Sequence, residues 1–224
     1  MAEPAPLIDW RSRSLWLATG GFGAAIAACI LWIDLPLALW LKANVSQPVF
    51  DAFFLVSKLG NGGIWAGVAL AIWAVPWAQH IWQLGDAGAA WRATRRPALQ
   101  AGTMLAALAV IGVLVNLLKH ALGRYRPAKF FATGEHEFSF FVIFQKSDSF
   151  PSGHAATICG AMLCLWWIWP RGRWLFVPLA VVVSLSRLIV HKHFLGDVIA
   201  GAALALAVCL LAQRAVGLRR QREF

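Results

Sequence analysis

Apolar runs of roughly membrane-crossing length alternate with short charged clusters along most of this chain. Six runs stand out, at 15–33, 62–77, 98–118, 153–169, 174–190 and 194–211. An α-helix rises about 1.5 Å per residue, so about 20 apolar residues cover a hydrocarbon core about 30 Å thick. The pattern predicts an all-α integral membrane protein, with six transmembrane helices bundled in one domain over 1–224 and short interfacial helices beside them. Gly and Ala recur in 62–77, as expected where membrane helices approach closely.

Between the first two runs the pattern weakens. Asp34, Pro36, Lys42, Asn44, Pro48, Asp51 and Lys58 interrupt it, while Phe50, Phe53, Phe54 and Leu55 suit the apolar side of a helix lying in the interface. Residues 79–97, with Arg92, Arg95 and Arg96, read as a basic loop. The longest polar region, 119–152, mixes Lys119, Arg124, Arg126, Lys129 and Lys146 with Phe130, Phe131, Phe138, Phe140, Phe141 and Phe144. Bases interleaved with aromatics also suit nucleic-acid stacking, but beside a bilayer an interfacial segment handling amphiphiles is the simpler account. At the start, Arg11 and Arg13 precede an apolar run containing Ile26-Ala27-Ala28-Cys29, a pattern shared with processed leader peptides. Hydrophobicity continues past Cys29, which favours a retained first helix. Trp166, Trp167 and Trp169 read as interface anchors.

Composition agrees with that pattern. Of 224 residues 60% are hydrophobic and only 13% charged, and the mean hydropathy is +0.66. A net charge of +10 raises nucleic acid as a partner, but the charges sit in separate clusters rather than on one basic face. The four cysteines lie inside apolar segments without metal-ligand spacing. Six spans place both termini on one side. With the termini in the cytoplasm, eleven Lys and Arg fall inside and nine outside. Most of the outer charges lie in the clusters that carry the candidate chemistry, so the expected topology is termini in and charged site out.

Three of those clusters then share one side: 119–127, 151–154 and 186–197. Together they supply Lys119, Arg126 and Arg187 with two imidazoles, His154 and His193. Convergent cations with histidines suit a phosphoryl group whose charge spreads over its oxygens during transfer. Pro151-Ser152-Gly153-His154 opens a helix, whose N-terminal amides favour anions, and Gly153 lets a ligand approach the backbone. His193 and Asp197 are four apart, so on a helix they share a face and the carboxylate can hold one imidazole nitrogen. Arg124 and Lys129 read as solvated or lipid-headgroup contacts. His120, His136 and His191 fit no part of the constellation.

The order Lys119-x6-Arg126-Pro127, then Pro151-Ser152-Gly153-His154, then Ser186-Arg187-x5-His193-x3-Asp197 resembles the three-part signature of the type 2 phosphatidic acid phosphatase superfamily. That superfamily also includes the vanadium-dependent haloperoxidases. The resemblance implies a nucleophilic His193 that forms a phosphohistidine, oriented by Asp197. It implies that His154 protonates the leaving oxygen and then activates water. Lys119, Arg126, Ser152, the Gly153 N–H and Arg187 would bind phosphoryl oxygens. Neither a metal nor a cofactor is implied.

The expectation is therefore a metal-independent membrane lipid phosphatase, with a periplasm-facing site in a bacterial inner membrane and no nucleic-acid partner. The sequence leaves phosphatidylglycerophosphate, phosphatidate, undecaprenyl diphosphate and a lipid A phosphate open as substrates. Oligomeric state and the role of the Phe-rich stretch 130–149 stay open too. The rivals are a vanadate-binding haloperoxidase-like enzyme, against which the six spans argue, and a lipid-phosphate transporter or scaffold.

Overall fold

The structure, a computed structural model, describes residues 13–81, 87–141 and 148–222. Expectations for Arg11, for 82–86 and for 142–147, with Phe144 and Lys146, lie outside the described residues. Among the described residues the chain is helical, and a single isolated bridge, Arg124 with Phe138, stands in place of a sheet.

Helix α1 (Arg13–Ala28) passes through a π turn at Cys29–Ile33 straight into α2 (Asp34–Asn44). The widened turn precedes Pro36, which has no N–H to give the helical ladder. Asp34 therefore does not close the first span as its polarity suggests. It lies inside one apolar helix of 26 residues, Thr19–Asn44, because its carboxylate is buried against a partner instead of facing lipid. Helix α3 (Gln47–Ser57), where Phe50, Phe53 and Phe54 sit, runs through a 3-10 turn at Lys58–Gly60 to α4 (Gly62–Ile81) with a bend of 45°.

Helix α5 (Ala87–Leu122) corrects the expected basic loop: the backbone at Arg92, Arg95 and Arg96 is helical, and the helix continues through Pro97. Its start is rich in alanine, the strongest helix former, which outweighs the charge signal. The short α6 (Pro127–Thr133) follows, with Pro at its first position and Gly134 closing it at φ +78°. Helices α7 (Gly153–Ile168), α8 (Arg173–Ile189) and α9 (Leu195–Arg222) complete the chain.

Four helices are long and apolar enough to cross a membrane, Thr19–Asn44, Pro97–Leu122, Pro170–Ile189 and Leu195–Val216, and the bent α3–α4 pair makes a fifth if it is one span. The expected count of six is therefore not met as drawn. The remaining run became α7, whose 16 residues give about 24 Å, short of a hydrocarbon core. Its surroundings explain this. Helix α7 packs against α4, α5, α8 and α9, so protein rather than lipid surrounds it.

Lipid tails are as apolar as leucine, so helices in a bilayer associate by close packing and small residues more than by hydrophobic transfer. Ala155, Ala156, Gly160 and Ala161 on α7 meet this need, as do Ala200, Gly201 and Ala205 on α9. A Cβ at Gly201 would lie 2.5 Å from the Ser152 carbonyl oxygen, so only glycine lets α9 reach the start of α7. This approach gathers the C-terminal ends of α5 and α8 and the N-terminal ends of α7 and α9 at one end of the bundle. Lys119, Arg187, Ser152 and Asp197 sit at those four ends.

Candidate active site

Asp197 stands in the first turn of α9, and its carboxylate closes that turn. Oδ2 accepts from the Phe194 amide at 2.9 Å and from Ser149 Oγ at 2.5 Å, while Oδ1 accepts from Arg124 Nη1 at 2.6 Å. A carboxylate at a helix N-terminus is favoured by the unpaired amides and the helix dipole. The backbone then locks two helices together, since Ser152 N donates to the Asp197 carbonyl oxygen at 2.9 Å. Ser152 is the N-cap of α7 and accepts from Ala155 N at 3.4 Å.

His193 precedes α9 instead of sharing a helix face with Asp197, which corrects the expected arrangement. The chain reverses out of α8 through His191, held at φ +54°, and the amides of Lys192 and His193 donate back to the Arg187 carbonyl oxygen. This tight reversal places the His193 Nδ1 2.8 Å from the Ser149 carbonyl oxygen and 3.7 Å from Asp197 Oδ2. A carbonyl only accepts, so Nδ1 carries the proton and Nε2 keeps its lone pair. Burial holds the His193 imidazole below its ordinary value, and Asp197 opposes that shift.

The cations converge as the spacing predicted, but with different partners. Arg126 Nη2 lies 2.8 Å from Asp148 Oδ2, and Lys119 Nζ lies 3.9 Å from the same oxygen. Arg187 is only 8% exposed, its Nε has no hydrogen-bond partner, and among the described residues no carboxylate pairs with it. A buried guanidinium without an anion is costly unless an anionic ligand completes it. His154, in the first turn of α7, is half-buried and lies within electrostatic reach of Arg187, His193, Lys119 and Arg126. Its imidazole rests on Gly60, where a Cβ would come within 2.8 Å of Cδ2. At Gly153 a Cβ would meet only Val115, at an ordinary 3.4 Å, so packing does not demand glycine there.

Arg124 overturns its sequence reading. It is 2% exposed and bridges two buried carboxylates, Asp197 and, through Nη2 at 2.8 Å, Asp34 on α2. Phe138 and Phe194 flank its guanidinium at 5.3 and 4.4 Å. Such a triad costs several kcal/mol per ion in desolvation, recovered only with good geometry and full hydrogen bonding. Lys129, by contrast, lies at the surface, paired with Glu135 at 2.7 Å. His191 packs edge-on to Phe131 and tilted on Phe50.

Sequence reasoning missed Asp34, Arg124, Asp148 and Ser149. A lone acid inside an apolar helix was a usable signal for Asp34, since such a group needs a buried cation. Nothing in the sequence marked Ser149. Among the described residues no group of three or more His, Cys, Asp or Glu is placed to hold a metal ion.

Comparison with known proteins gives this geometry a family. A model of the PAP2 superfamily matches residues 100–221, more than half of the chain and every residue of the constellation from Lys119 to Asp197. Lipid A 1-phosphatases of Rhizobium johnstonii and Rhizobium etli are similar in sequence. The first is 38% identical over 100 residues, which is 45% of this chain and 41% of that protein. The second is 39% identical over 92 residues, 41% of this chain and 40% of that protein. The match thus spans about two fifths of each relative. In fold, the chain resembles the crystal structure of a transmembrane PAP2 type phosphatidylglycerolphosphate phosphatase from Bacillus subtilis. The two share a TM-score of 0.59 and 21% identity over 93% of this chain and 95% of that one. With its signature residues gathered at one end of a bundle of apolar helices, the chain belongs to the PAP2 superfamily.

Proposed function

We propose that this chain is a membrane lipid phosphatase working through a phosphohistidine on His193. The observation that carries the reading is the bond from His193 Nδ1 to the Ser149 carbonyl, which leaves Nε2 unprotonated beside the cationic set. In the first step Nε2 attacks phosphorus, the bond to the lipid oxygen breaks, and His154 gives that oxygen a proton. In the second, His154 takes a proton from water, whose oxygen attacks phosphorus as the N–P bond breaks, releasing phosphate. Lys119, Arg126 and Arg187 neutralise the phosphoryl oxygens, a task a divalent metal performs in other phosphoryl-transfer sites, so the reaction is metal-independent. Ser152 and the Gly153 amide at the start of α7 supply further donors. Asp197 stabilises the charge that His193 gains.

A lipid substrate is favoured by an apolar groove of about 410 Å³ between α7, α8 and α9, whose lining includes Met162, Trp166, Phe176, Leu195 and Val198. Among lipid phosphates the first candidate is the 1-phosphate of lipid A, because the relatives sharing 38–39% identity over the matched stretch carry that name. The expected location in a bacterial inner membrane, with cytoplasmic termini and a periplasm-facing site, belongs to the same proposal, and the placement of Lys and Arg supports its sidedness. The test is phosphate release by the full chain in detergent from lipid A, phosphatidylglycerophosphate, phosphatidate and undecaprenyl diphosphate, with a chelator present. Release, fastest from lipid A and absent in His193→Gln, is expected. No release from any of the four, or release that requires a divalent metal, refutes the proposal.

A further inference from the structure

We propose that Asp34 and Arg124 are positioning residues for the reaction, forming with Asp197 a buried charge relay that sets His193; this rests on the phosphatase reading above. Asp34 lies on α2, far in sequence from the three signature stretches, yet its carboxylate reaches the catalytic turn. Oδ1 accepts from the Gly196 amide at 2.9 Å and Oδ2 pairs with Arg124 Nη2 at 2.8 Å. Arg124 then reaches Asp197 Oδ1 through its other amino group at 2.6 Å. Both carboxylates are essentially fully buried.

Arg124 also acts through its backbone, because its carbonyl oxygen accepts from Ser149 N at 2.9 Å. One residue therefore holds both supports of His193: the Asp197 carboxylate and the Ser149 segment whose carbonyl binds Nδ1. Gly196 completes the set, since a Cβ there would meet Asp34 Oδ2 at 3.0 Å and Ile30 Cγ1 at 3.1 Å. Only a planar two-armed cation can span the two carboxylates, which a lysine cannot do.

Charge completes the reasoning. Two carboxylates and one guanidinium leave the relay with one net negative charge beside a histidine that becomes positive when it attacks. With Asp34 neutral, Arg124 offsets all of that charge, and Asp197 stabilises the imidazolium less. The charged and titratable groups acting on His193 directly are Asp197, Arg187, Lys119 and His154, with Arg126 and Asp148 one step further out. Asp34→Asn alters none of them and keeps the shape of the site.

The test compares wild type, Asp34→Asn and Arg124→Lys as full-length protein in detergent, with rates expressed per folded molecule. Alongside turnover, the ¹⁵N signals of the His193 imidazole, assigned by their loss in His193→Gln, are followed against pH. Expected for Asp34→Asn are a kcat lower by about tenfold, a KM within about twofold because the phosphate cations are untouched, and a lower His193 titration midpoint. Arg124→Lys shows the same split and serves alone if Asp34→Asn does not fold. An unchanged kcat, or a lower kcat with an unmoved midpoint, overturns the relay. If wild type itself releases no phosphate from any lipid tested, the phosphatase reading falls instead. The relay is then decided by the midpoint alone.

Discussion

His193 Nδ1 donates to the backbone carbonyl of Ser149 at 2.8 Å, and this bond decides which imidazole nitrogen can react. Asp197, at 3.7 Å, contributes charge and holds Ser149 Oγ instead of fixing the tautomer itself. Main-chain and side-chain roles of Ser149 can therefore be separated. Ser149→Ala keeps the carbonyl and removes only the hydroxyl donor to a buried carboxylate, a bond of a kind worth about 1.5–3 kcal/mol. We expect kcat to fall by about tenfold or more with KM little changed, whereas His193→Gln stops phosphate release altogether. A Ser149→Ala enzyme with wild-type kcat would show that the hydroxyl contributes nothing.

Asp148 sits on two of the three cations proposed to bind phosphate, at 2.8 Å from Arg126 and 3.9 Å from Lys119, while among the described residues Arg187 has no such partner. An incoming phosphoryl group must compete with that carboxylate. Asp148→Asn should therefore strengthen inhibition by vanadate and by inorganic phosphate. Asp148 is substantially exposed, so the pair is worth only about 0.2–1 kcal/mol and the inhibition constant should fall by about 1.5- to 5-fold. Arg187→Ala should act in the opposite direction, losing about 3 kcal/mol of transition-state stabilisation by analogy with an oxyanion donor. Inhibition assays on the two variants check both signs, and weaker inhibition of Asp148→Asn refutes the competition.

His193 predicts the acid side of the pH profile. Burial lowers its folded pKa below the ordinary 6.5, and in the proposed mechanism only the neutral ring attacks. The loss of kcat/KM caused by its protonation should thus lie below pH 6.5. Stability follows the same sign: the unfolded chain takes up the proton first, so this histidine destabilises the fold as pH drops from about 6.5 through its folded pKa. Weakening Asp197, which favours the charged ring, should move the acid limb to still lower pH. A profile that shifts upward in Asp197→Asn contradicts the assignment.

Much of the site was legible because it is local in sequence: the His193 to Asp197 spacing, the Ser152 cap and the three cations all lie in stretches that carry charge next to apolar runs. What escaped was set by tertiary contact. Asp34 looked like the end of a span because its cation, Arg124, lies 90 positions away, and Arg124 looked like a headgroup contact for the same reason. The exact span count was not legible because hydrophobicity alone does not separate a helix wrapped by protein, such as α7, from one facing lipid. The basic stretch before Pro97 misled in another way, since charge hides helix propensity where alanine dominates.

The close approach of α7 and α9 gives the last prediction, because it ties packing to catalysis. A Cβ at Gly201 would meet the Ser152 carbonyl oxygen at 2.5 Å and the Ala156 amide at 3.2 Å, both backbone atoms that cannot swing aside. Gly201→Ala must part the two helices, straining the Ser152 N bond to the Asp197 carbonyl. Overpacking of this kind costs about 1–3 kcal/mol, so both the melting temperature in detergent and the turnover should fall. Gly60→Ala probes the other side of the site. There the intruding methyl meets the Cβ of His154 at 2.7 Å and its Cδ2 at 2.8 Å, and since a Cβ is fixed to its backbone, the start of α7 must shift and carry the ring with it. Its melting temperature should fall as well, and turnover with it, because the ring carried along is the proposed proton donor. A Gly60→Ala enzyme of full activity would mean that His154 need not hold its observed position.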